Sequence, residues 1–559
     1  MADSNKGAVA QIIDSTVTTK IRRNSQASKN VVISTELYPN NRTYTVTQDF
    51  DFEGNLTSLY YPSGRRVSFE RTGANQIFRM RTWSGTTVQS ILTGITYLPN
   101  GPLAKMVYGD GATQTRTYDA SYRLTGITDI KGATSLRNMT YGYEARDNLT
   151  AVTDTLLPAN SETYAYTPRE SLTSATGPYG QMAFTYDGVG NRVTYGVDPG
   201  TGLVTDTYAY PATSNRLSTI SLGAGGARAF TYDAAGNVTF DDRTGGGYGY
   251  TYDAAGRMAT FSINGVLQAS YQYDFAGRQV VRALSGGATI HSVFDADGNR
   301  IAEYDQTSGA LIREYVWFDG AAIAVIEGGV VYYIRSDHIG RPVFATNAAG
   351  VQVWSASYLP FGGVRTATGT PITLRFPGQW FQSESGLHQN WMRDYDPTTG
   401  RYIQADPLGL VDGASVYGYV KGNPGRWIDP EGLERKPGKT PSKGGPPPEA
   451  AAGKKPVWNP LGYWDGKKGR RLTWDDRSHG TGIDRGKGPQ GGHWDDETSG
   501  NRWRPDGTLL PGSPDRKNYT SSPDFPMSLP SPPTPEQSML LTGFAAVLWF
   551  CGYIGASTF

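Results

Sequence analysis

One short unit returns along this chain with almost constant spacing. Thr185-Tyr186-Asp187-Gly188-Val189-Gly190-Asn191-Arg192-Val193 recurs as Thr231-Tyr232-Asp233-Ala234-Ala235-Gly236-Asn237-Val238. It recurs again as Thr251-Tyr252-Asp253-Ala254-Ala255-Gly256-Arg257-Met258 and as Gln272-Tyr273-Asp274-Phe275-Ala276-Gly277-Arg278-Gln279. A variant follows at Val293-Phe294-Asp295-Ala296-Asp297-Gly298-Asn299-Arg300. The lead aromatics 232, 252, 273 and 294 lie 20 to 21 residues apart, and weaker copies start at Tyr118, Tyr143, Tyr166 and Tyr208. Self-similarity at such a period signals a repeat architecture.

Each unit reads as a β-hairpin. Alternating residues before Tyr-Asp form a strand. Asp-x-x-Gly-Asn or Asp-x-x-Gly-Arg makes a turn in which Gly takes the positive φ, and alternation then resumes. One hairpin buries too little apolar surface to stand alone, so neighbours must stack. The recurring tyrosines are expected to form a ladder on one sheet face. A scaffold without chemistry accounts for the repeats themselves.

Composition agrees with turn-rich β structure, since Gly 70 and Tyr 35 in 559 residues exceed ordinary usage. The net charge of +1 implies no general attraction to nucleic acid or membrane. The single cysteine, Cys551, excludes a disulfide framework. The start, Met1-Ala2-Asp3-Ser4-Asn5-Lys6, has no apolar core or cleavage site. Synthesis in the cytosol is expected, with any export independent of a signal peptide.

The composition changes at Leu433. Two near-identical turns, Asp406-Pro407-Leu408-Gly409-Leu410 and Asp429-Pro430-Glu431-Gly432-Leu433, stand 23 residues apart just before it. A lone Asp-Pro-x-Gly is a tight turn. Two copies at this spacing suggest paired chemistry. Two carboxylates held close cannot both ionise cheaply, so one stays an acid while the other serves as base toward water. An adjacent Arg would hold the ionised member.

The Tyr-Asp units resemble the YD repeats of bacterial Rhs proteins, and residues about 330–433 resemble the Rhs repeat-associated core. The matching stretches include Asp337-His338-Ile339-Gly340-Arg341-Pro342, Tyr358-Leu359-Pro360-Phe361-Gly362 and Arg375-Phe376-Pro377-Gly378-Gln379. Met392-Arg393-Asp394-Tyr395-Asp396-Pro397 with Gly400-Arg401-Tyr402, and Tyr417-Gly418-Tyr419-Val420-Lys421-Gly422-Asn423-Pro424, complete the set with both Asp-Pro motifs. The resemblance implies an all-β fold, a YD-repeat sheet spiralling into a cocoon around a C-terminal toxin. Related cocoons occur in insecticidal toxin complex C subunits and in teneurins. It also implies self-cleavage between Leu433 and Glu434 by an aspartyl-protease-like site of Asp406, Asp429 and Arg393. No catalytic role is expected of His338 or His388. The partners it implies are a cognate immunity protein, a secretion-system spike or other delivery protein, and RNA, DNA or the inner membrane of a competitor cell. The toxin would be cytoplasmic in its producer and then secreted into the target.

The expected organisation is an N-terminal segment 1–40, a YD-repeat shell 41–329, the core 330–433, a Lys/Pro/Gly linker 434–456 and a toxin 457–559. No delivery domain is recognised in 1–40, and the shell is short for the family. The toxin is expected to be a small α+β or partly disordered unit with a hydrophobic helix at 539–559. Its Gly-Gly-His-Trp-Asp and Pro-Asp-Gly patterns resemble small polymorphic-toxin domains of the type-37 group. His493 beside Asp495, with basic residues near, suits a metal-independent ribonuclease with His as general base. His479, His493 and Asp495 as metal ligands is the alternative, without tight ligand spacing to support it; no metal or cofactor is expected. Residues 539–559 carry no charge, and as a helix would extend about 31 Å, the thickness of a bilayer core. A membrane-spanning helix and one buried inside the shell fit equally. The cargo is therefore read as a nuclease-like enzyme, with a membrane-depolarising toxin as the alternative.

Overall fold

The turn chemistry is the same in every full repeat of the computed structural model. Asp253 is representative: its Oδ1 accepts the backbone N–H groups of Ala255 (2.9 Å) and Arg257 (3.0 Å). Its own N–H donates to the Arg257 carbonyl, and Gly256 N–H returns to the Asp253 carbonyl. Gly256 has φ of +77°, a conformation that disfavours any residue with a Cβ. The fifth position is Arg or Asn because both donate to the remaining Asp oxygen. Arg257 Nε lies 2.8 Å from Asp253 Oδ2, and Asn237 Nδ2 lies 3.0 Å from Asp233 Oδ2.

The residue before each Asp sits at a β-bulge. Register slips between Thr231 and Tyr232, Thr251 and Tyr252, and Gln272 and Tyr273. The bulge re-aims the ring, and the hydroxyl reaches back to the preceding repeat. Tyr143 donates to the Leu124 carbonyl (2.9 Å), Tyr166 to Leu149 (2.7 Å), Tyr232 to Leu217 (2.9 Å), Tyr273 to Met258 (2.9 Å) and Tyr358 to Pro342 (2.7 Å). The link between repeats that the structure shows is thus a hydroxyl-to-backbone staple, where sequence periodicity led us to expect a ladder of rings.

The structure describes residues 11–438 except 15, 27, 28, 100, 199 and 244, and the backbone of five short strands beyond residue 456. From Gln11–Ile13 to Val364–Gly369, 33 strands form one sheet. Each pairs antiparallel with the next in sequence. Residues 11–40, part of the segment 1–40 set apart in sequence from the shell, already supply strands of this sheet, and strands continue past 329 to Gly369. Among the described residues there is no α-helix, only 3-10 turns at Pro39–Asn41, Pro158–Asn160 and Val420–Gly422.

The sheet rolls back onto itself. Tyr38 donates to the Ser292 carbonyl and Tyr61 to the Tyr315 carbonyl, both at 2.7 Å and both across 254 residues. Arg65 pairs with Glu314 across 249 residues, and Tyr333 bonds the Ser90 carbonyl across 243. Arg335 pairs with Asp110 across 225, and Arg137 donates to the Ser336 carbonyl across 199. The last three contacts all converge on the strand Val330–Ser336. Between its two walls lies the largest apolar cluster, which joins Val67, Met80 and Leu92 to Val293, Ile301 and Val316. Arg335 crosses the seam fully buried, 3.4 Å from the centre of the Tyr108 ring, and meets Asp110 (2.8 Å) and Asp129 (3.3 Å).

Residues after Gly369 close over the turn side of the repeats. Asn423 Nδ2 bonds Asn148 Oδ1 (2.7 Å), and Arg401 Nη1 bonds Asn191 Oδ1 (3.0 Å). Tyr417 donates to the Gly236 carbonyl (2.7 Å), and Trp391 Nε1 to the Ala276 carbonyl (2.9 Å). Each contact falls on a repeat turn, three of them Asp-x-x-Gly turns and the fourth the variant Glu144-Ala145-Arg146-Asp147-Asn148, so the regular spacing of the turns gives the closing segment its footholds.

Beyond residue 456, the strands Val457–Asn459, Gly462–Asp465, Arg470–Asp475, His493–Asp496 and Arg502–Trp503 pair antiparallel in sequence order. The hydrophobic stretch 539–559 lies outside the described residues, as does most of the linker. Among the described residues no helix is long and apolar enough to cross a membrane.

If the hydroxyl staple holds successive repeats, Tyr273→Phe should cost about 1 kcal/mol, the net worth of a buried hydrogen bond. It should appear as a lowered thermal unfolding midpoint. An unchanged midpoint would reduce the tyrosine's contribution to its ring.

Candidate active site

Arg393 opens the strand Arg393–Asp396, which lies between His388–Asn390 and Arg401–Tyr402 in a small antiparallel sheet. The side chain is buried, and its guanidinium joins both Asp-Pro motifs. Nη1 is 2.9 Å from Asp406 Oδ2 and Nη2 is 3.4 Å from Asp429 Oδ2. Nε donates to the Gly432 carbonyl at 2.6 Å, and Nη1 also reaches the Val416 carbonyl at 3.3 Å. The three residues expected to act together are therefore brought together. The two carboxylates do so by meeting different nitrogens of one cation.

Each aspartate is set by its own turn. Asp406 accepts the Leu408 N–H at Oδ1 (2.8 Å), and its N–H donates to the Val416 carbonyl (2.9 Å). Asp429 accepts the Leu433 N–H at Oδ1 (2.9 Å), while Oδ2 accepts the Tyr402 hydroxyl at 2.6 Å. Gly432 is obligatory here. Its φ is +65°, and a Cβ would stand 2.3 Å from the Asn390 carbonyl oxygen. The second motif thus packs its backbone directly against the strand that leads into Arg393.

The surroundings of the two acids differ. Burial raises the Asp406 carboxyl above the ordinary carboxylate value, Arg393 opposes the rise, and the charge of Asp429 adds to it. Asp406 is thereby suited to keep a proton. Asp429 is surrounded by the Arg393, Tyr402 and Leu433 donors, an arrangement suited to an acceptor. Burial, reinforced by Asp429, holds the Tyr402 hydroxyl well above its usual value, so it remains a donor.

Sequence reasoning missed three residues. Tyr402 donates to Asp429 while its ring lies 3.8 Å from the Arg393 guanidinium carbon. Asn390 Nδ2 donates to the Tyr402 oxygen (2.7 Å) and to the Asp429 carbonyl (2.8 Å). Asp412 takes the Arg435 backbone N–H (3.3 Å) and pairs with its guanidinium. Tyr402 closes a stretch already singled out by resemblance, four residues before Asp406. Nothing comparable marked Asp412.

His338 and His388 are held by hydrogen bonds within the fold. His338 Nε2 lies 2.9 Å from the Gly425 carbonyl, and His388 Nδ1 lies 2.8 Å from Gln379 Oε1. Burial pushes His388 down to about 3, leaving it neutral. In the C-terminal sheet, His493 and Asp495 are two positions apart on one strand. Register sets His493 opposite Asp475, and Asp495 opposite Thr473 and Arg502. His479 lies outside the described residues.

The sheet, its closing segment and the bridged aspartates define a YD-shell protein. The family described as Teneurin YD-shell matches residues 93–413, more than half of the chain, and the chain belongs to it. Parts of it are similar to Rhs and toxin proteins. A double-stranded DNA deaminase toxin A of Burkholderia cenocepacia is 41% identical over 109 residues, 18% of this chain and 8% of the relative. A probable deoxyribonuclease RhsA of Dickeya dadantii is 36% identical over 152 residues, 25% of this chain and 10% of the relative. Toxin subunit YenC2 of Yersinia entomophaga is 22% identical over 504 residues, 73% of this chain and 49% of the relative. This chain therefore spans half or less of the length of these relatives. The Photorhabdus luminescens Tc holotoxin pore, with a TccC3-D651A mutation, superposes with a TM-score of 0.65 at 19% identity. It covers 77% of this chain and 24% of that one. The likeness to that toxin shell is one of fold.

Beside Arg393, on the opposite side of the strand, Asp394 gives a further test of the packing. Burial pushes its carboxyl up to about 7, opposed by the Gln404 hydrogen bond and assisted by Glu384. Its Oδ1 meets no partner. A carboxyl raised above its unfolded value of about 3.9 favours the fold fully below that value, and this contribution is lost as pH rises through the folded value. Asp394→Asn should therefore gain in unfolding midpoint over the parent as pH rises from about 4 to about 7. A midpoint difference constant across that window would contradict the buried, protonated state.

Proposed function

We propose that this chain is an Rhs-type toxin that cuts itself between Leu433 and Glu434, with the YD-repeat shell housing the piece that begins at Glu434. The observation that carries this reading is the Arg393 guanidinium between Asp406 and Asp429, with the backbone of 429–433 bound to the same cluster. Asp406, whose carboxyl burial raises above its ordinary value, takes the part of the acid. Asp429 acts as the base toward water, oriented by Tyr402 and Arg393. Water attacks the Leu433 carbonyl, and the proton it loses passes to Asp429. The Leu433–Glu434 C–N bond breaks as the leaving nitrogen takes a proton, giving a new carboxylate and a new amine.

The purified chain should run as fragments 1–433 and 434–559 under denaturing conditions while remaining together in a native gel. Asp406→Asn and Asp429→Asn should each leave it in one piece. Processing that continues in both variants would remove the dyad.

The cargo reading is a nuclease-like enzyme within 457–559 that uses His493, Asp495 and His479, acting on RNA or DNA of a competitor cell. Two relatives bear names of DNA-directed activities, which favours this class. A cognate immunity protein would protect the producer, where the toxin is made in the cytoplasm, and a spike or other delivery protein would carry it out. The uncharged stretch 539–559 favours a second reading, a cargo that inserts into and depolarises the target's inner membrane.

Expressing 434–559 alone, with RNA and DNA integrity and membrane potential followed in parallel, separates the two. His493→Ala should reduce toxicity without changing membrane association. Val547→Lys, which places a charge costing about 2.5–3.5 kcal/mol at a membrane-helix centre, should reduce membrane association. If His493→Ala, Asp495→Ala and His479→Ala all kill like the parent while Val547→Lys is harmless, the membrane reading replaces the enzyme.

A further inference from the structure

The segment around the Leu433–Glu434 bond forms the loop of a small hairpin. Its arms are Trp427–Ile428 and Lys436–Pro437, paired Trp427 to Pro437 and Ile428 to Lys436. On the side before the bond, hydrogen bonds from the site fix the backbone. Asn390 Nδ2 holds the Asp429 carbonyl (2.8 Å), Met392 N–H the Glu431 carbonyl (3.2 Å) and Arg393 Nε the Gly432 carbonyl (2.6 Å). Glu434 is exposed.

On the far side, a different residue takes over. Asp412 Oδ2 accepts the Arg435 backbone N–H at 3.3 Å, and Oδ1 pairs with the Arg435 guanidinium. The guanidinium also donates to the Asp412 carbonyl at 3.2 Å and lies 5.1 Å from the Trp427 ring centre. Side-chain exposure is 15% for Asp412 and 23% for Arg435. The neighbouring pair Lys436–Glu431 is 47% and 39% exposed, and water leaves such pairs little net energy. The shielded pair is the one able to hold geometry.

We propose that Asp412 and Arg435 form a positioning pair that anchors the far side of the Leu433–Glu434 bond and sets it in register with the Arg393 cluster. This rests on the self-cleavage reading and adds the recognition of residues after the cut. With the near side bound to Arg393 and Asn390 and the far side to Asp412, the bond is suspended between two anchors. Restricting the bond to one orientation is worth rate in its own right. The determinant of where the chain is cut thus includes a basic residue two positions beyond the bond, met by an acid from the first Asp-Pro motif's loop.

The test is the rate at which full-length chain is converted after a short pulse of cell-free synthesis. Asp412→Lys and Arg435→Glu should each slow conversion about tenfold or more, and the double variant Asp412→Lys/Arg435→Glu should recover most of the loss. Lys436→Gln should convert like the parent. Each substitution is also placed in the Asp406→Asn chain, which stays in one piece, so that its unfolding midpoint reports folding apart from cutting. Singles that convert at the parental rate overturn the proposal. So do slow singles without recovery in the double, since the two charges then do not act on one another. Continued conversion in Asp406→Asn itself would instead remove the self-cleavage reading beneath it.

Discussion

The bond from a repeat's tyrosine hydroxyl to a main-chain carbonyl of the preceding hairpin, made at Tyr143, Tyr166, Tyr232, Tyr252, Tyr273 and Tyr358 but not at Tyr186 or Phe294, is the interaction on which most of the shell depends. A hairpin with a five-residue turn has no reason to hold a particular angle to the next one. The bulge before Asp turns the ring backward, and the hydroxyl then fixes the neighbour at its first strand residue, as Tyr252 does at Val238 and Tyr273 at Met258. Repeated down the chain, this gives a sheet with constant local geometry. Constant local geometry in a twisted sheet lets it roll and meet itself. The seam, the turn row and the footholds of the closing segment all follow from that regularity.

The Arg393 cluster shows how a chemically costly arrangement is kept in place. Two carboxyls and a guanidinium are buried together. Removing such groups from water is expensive unless every member is paired. Here the two Asp-Pro turns deliver the carboxyls from separate loops, and the cation satisfies both while also binding the Gly432 carbonyl. The charge set and the backbone near the Asp-Pro-Glu-Gly-Leu motif are thus one structure.

Much of this was legible in the sequence because it is local. The turn needs Asp and Gly three positions apart with an amide or guanidinium directly after the Gly, and those letters repeat. The dyad was legible because two copies of a five-residue motif accompany an arginine. What escaped was whatever depends on long-range closure. Arg335 looks like any strand residue until the sheet rolls and places it against Asp110 across 225 residues. Residues 11–40 lack the turn signature yet pair as strands, since their partners come from strand pairing and the opposite wall. Asp412 escaped because its partner Arg435 lies beyond a second loop and neither has a motif. The hydroxyl staple was not legible for a different reason: period alone gives the face of a side chain, and the bulge sets where its hydroxyl points.

The seam also makes the length of the shell discrete. Its contacts join residues whose separations fall from 254 to 199, and each is a specific pair such as Arg65 with Glu314. Inserting one repeat between the walls would carry every later residue a hairpin forward and set each seam partner opposite a stranger. A repeat added outside the joined walls would disturb none of them. Lineages of such shells should therefore grow and shrink at their ends, while the stretch between seam partners keeps its count.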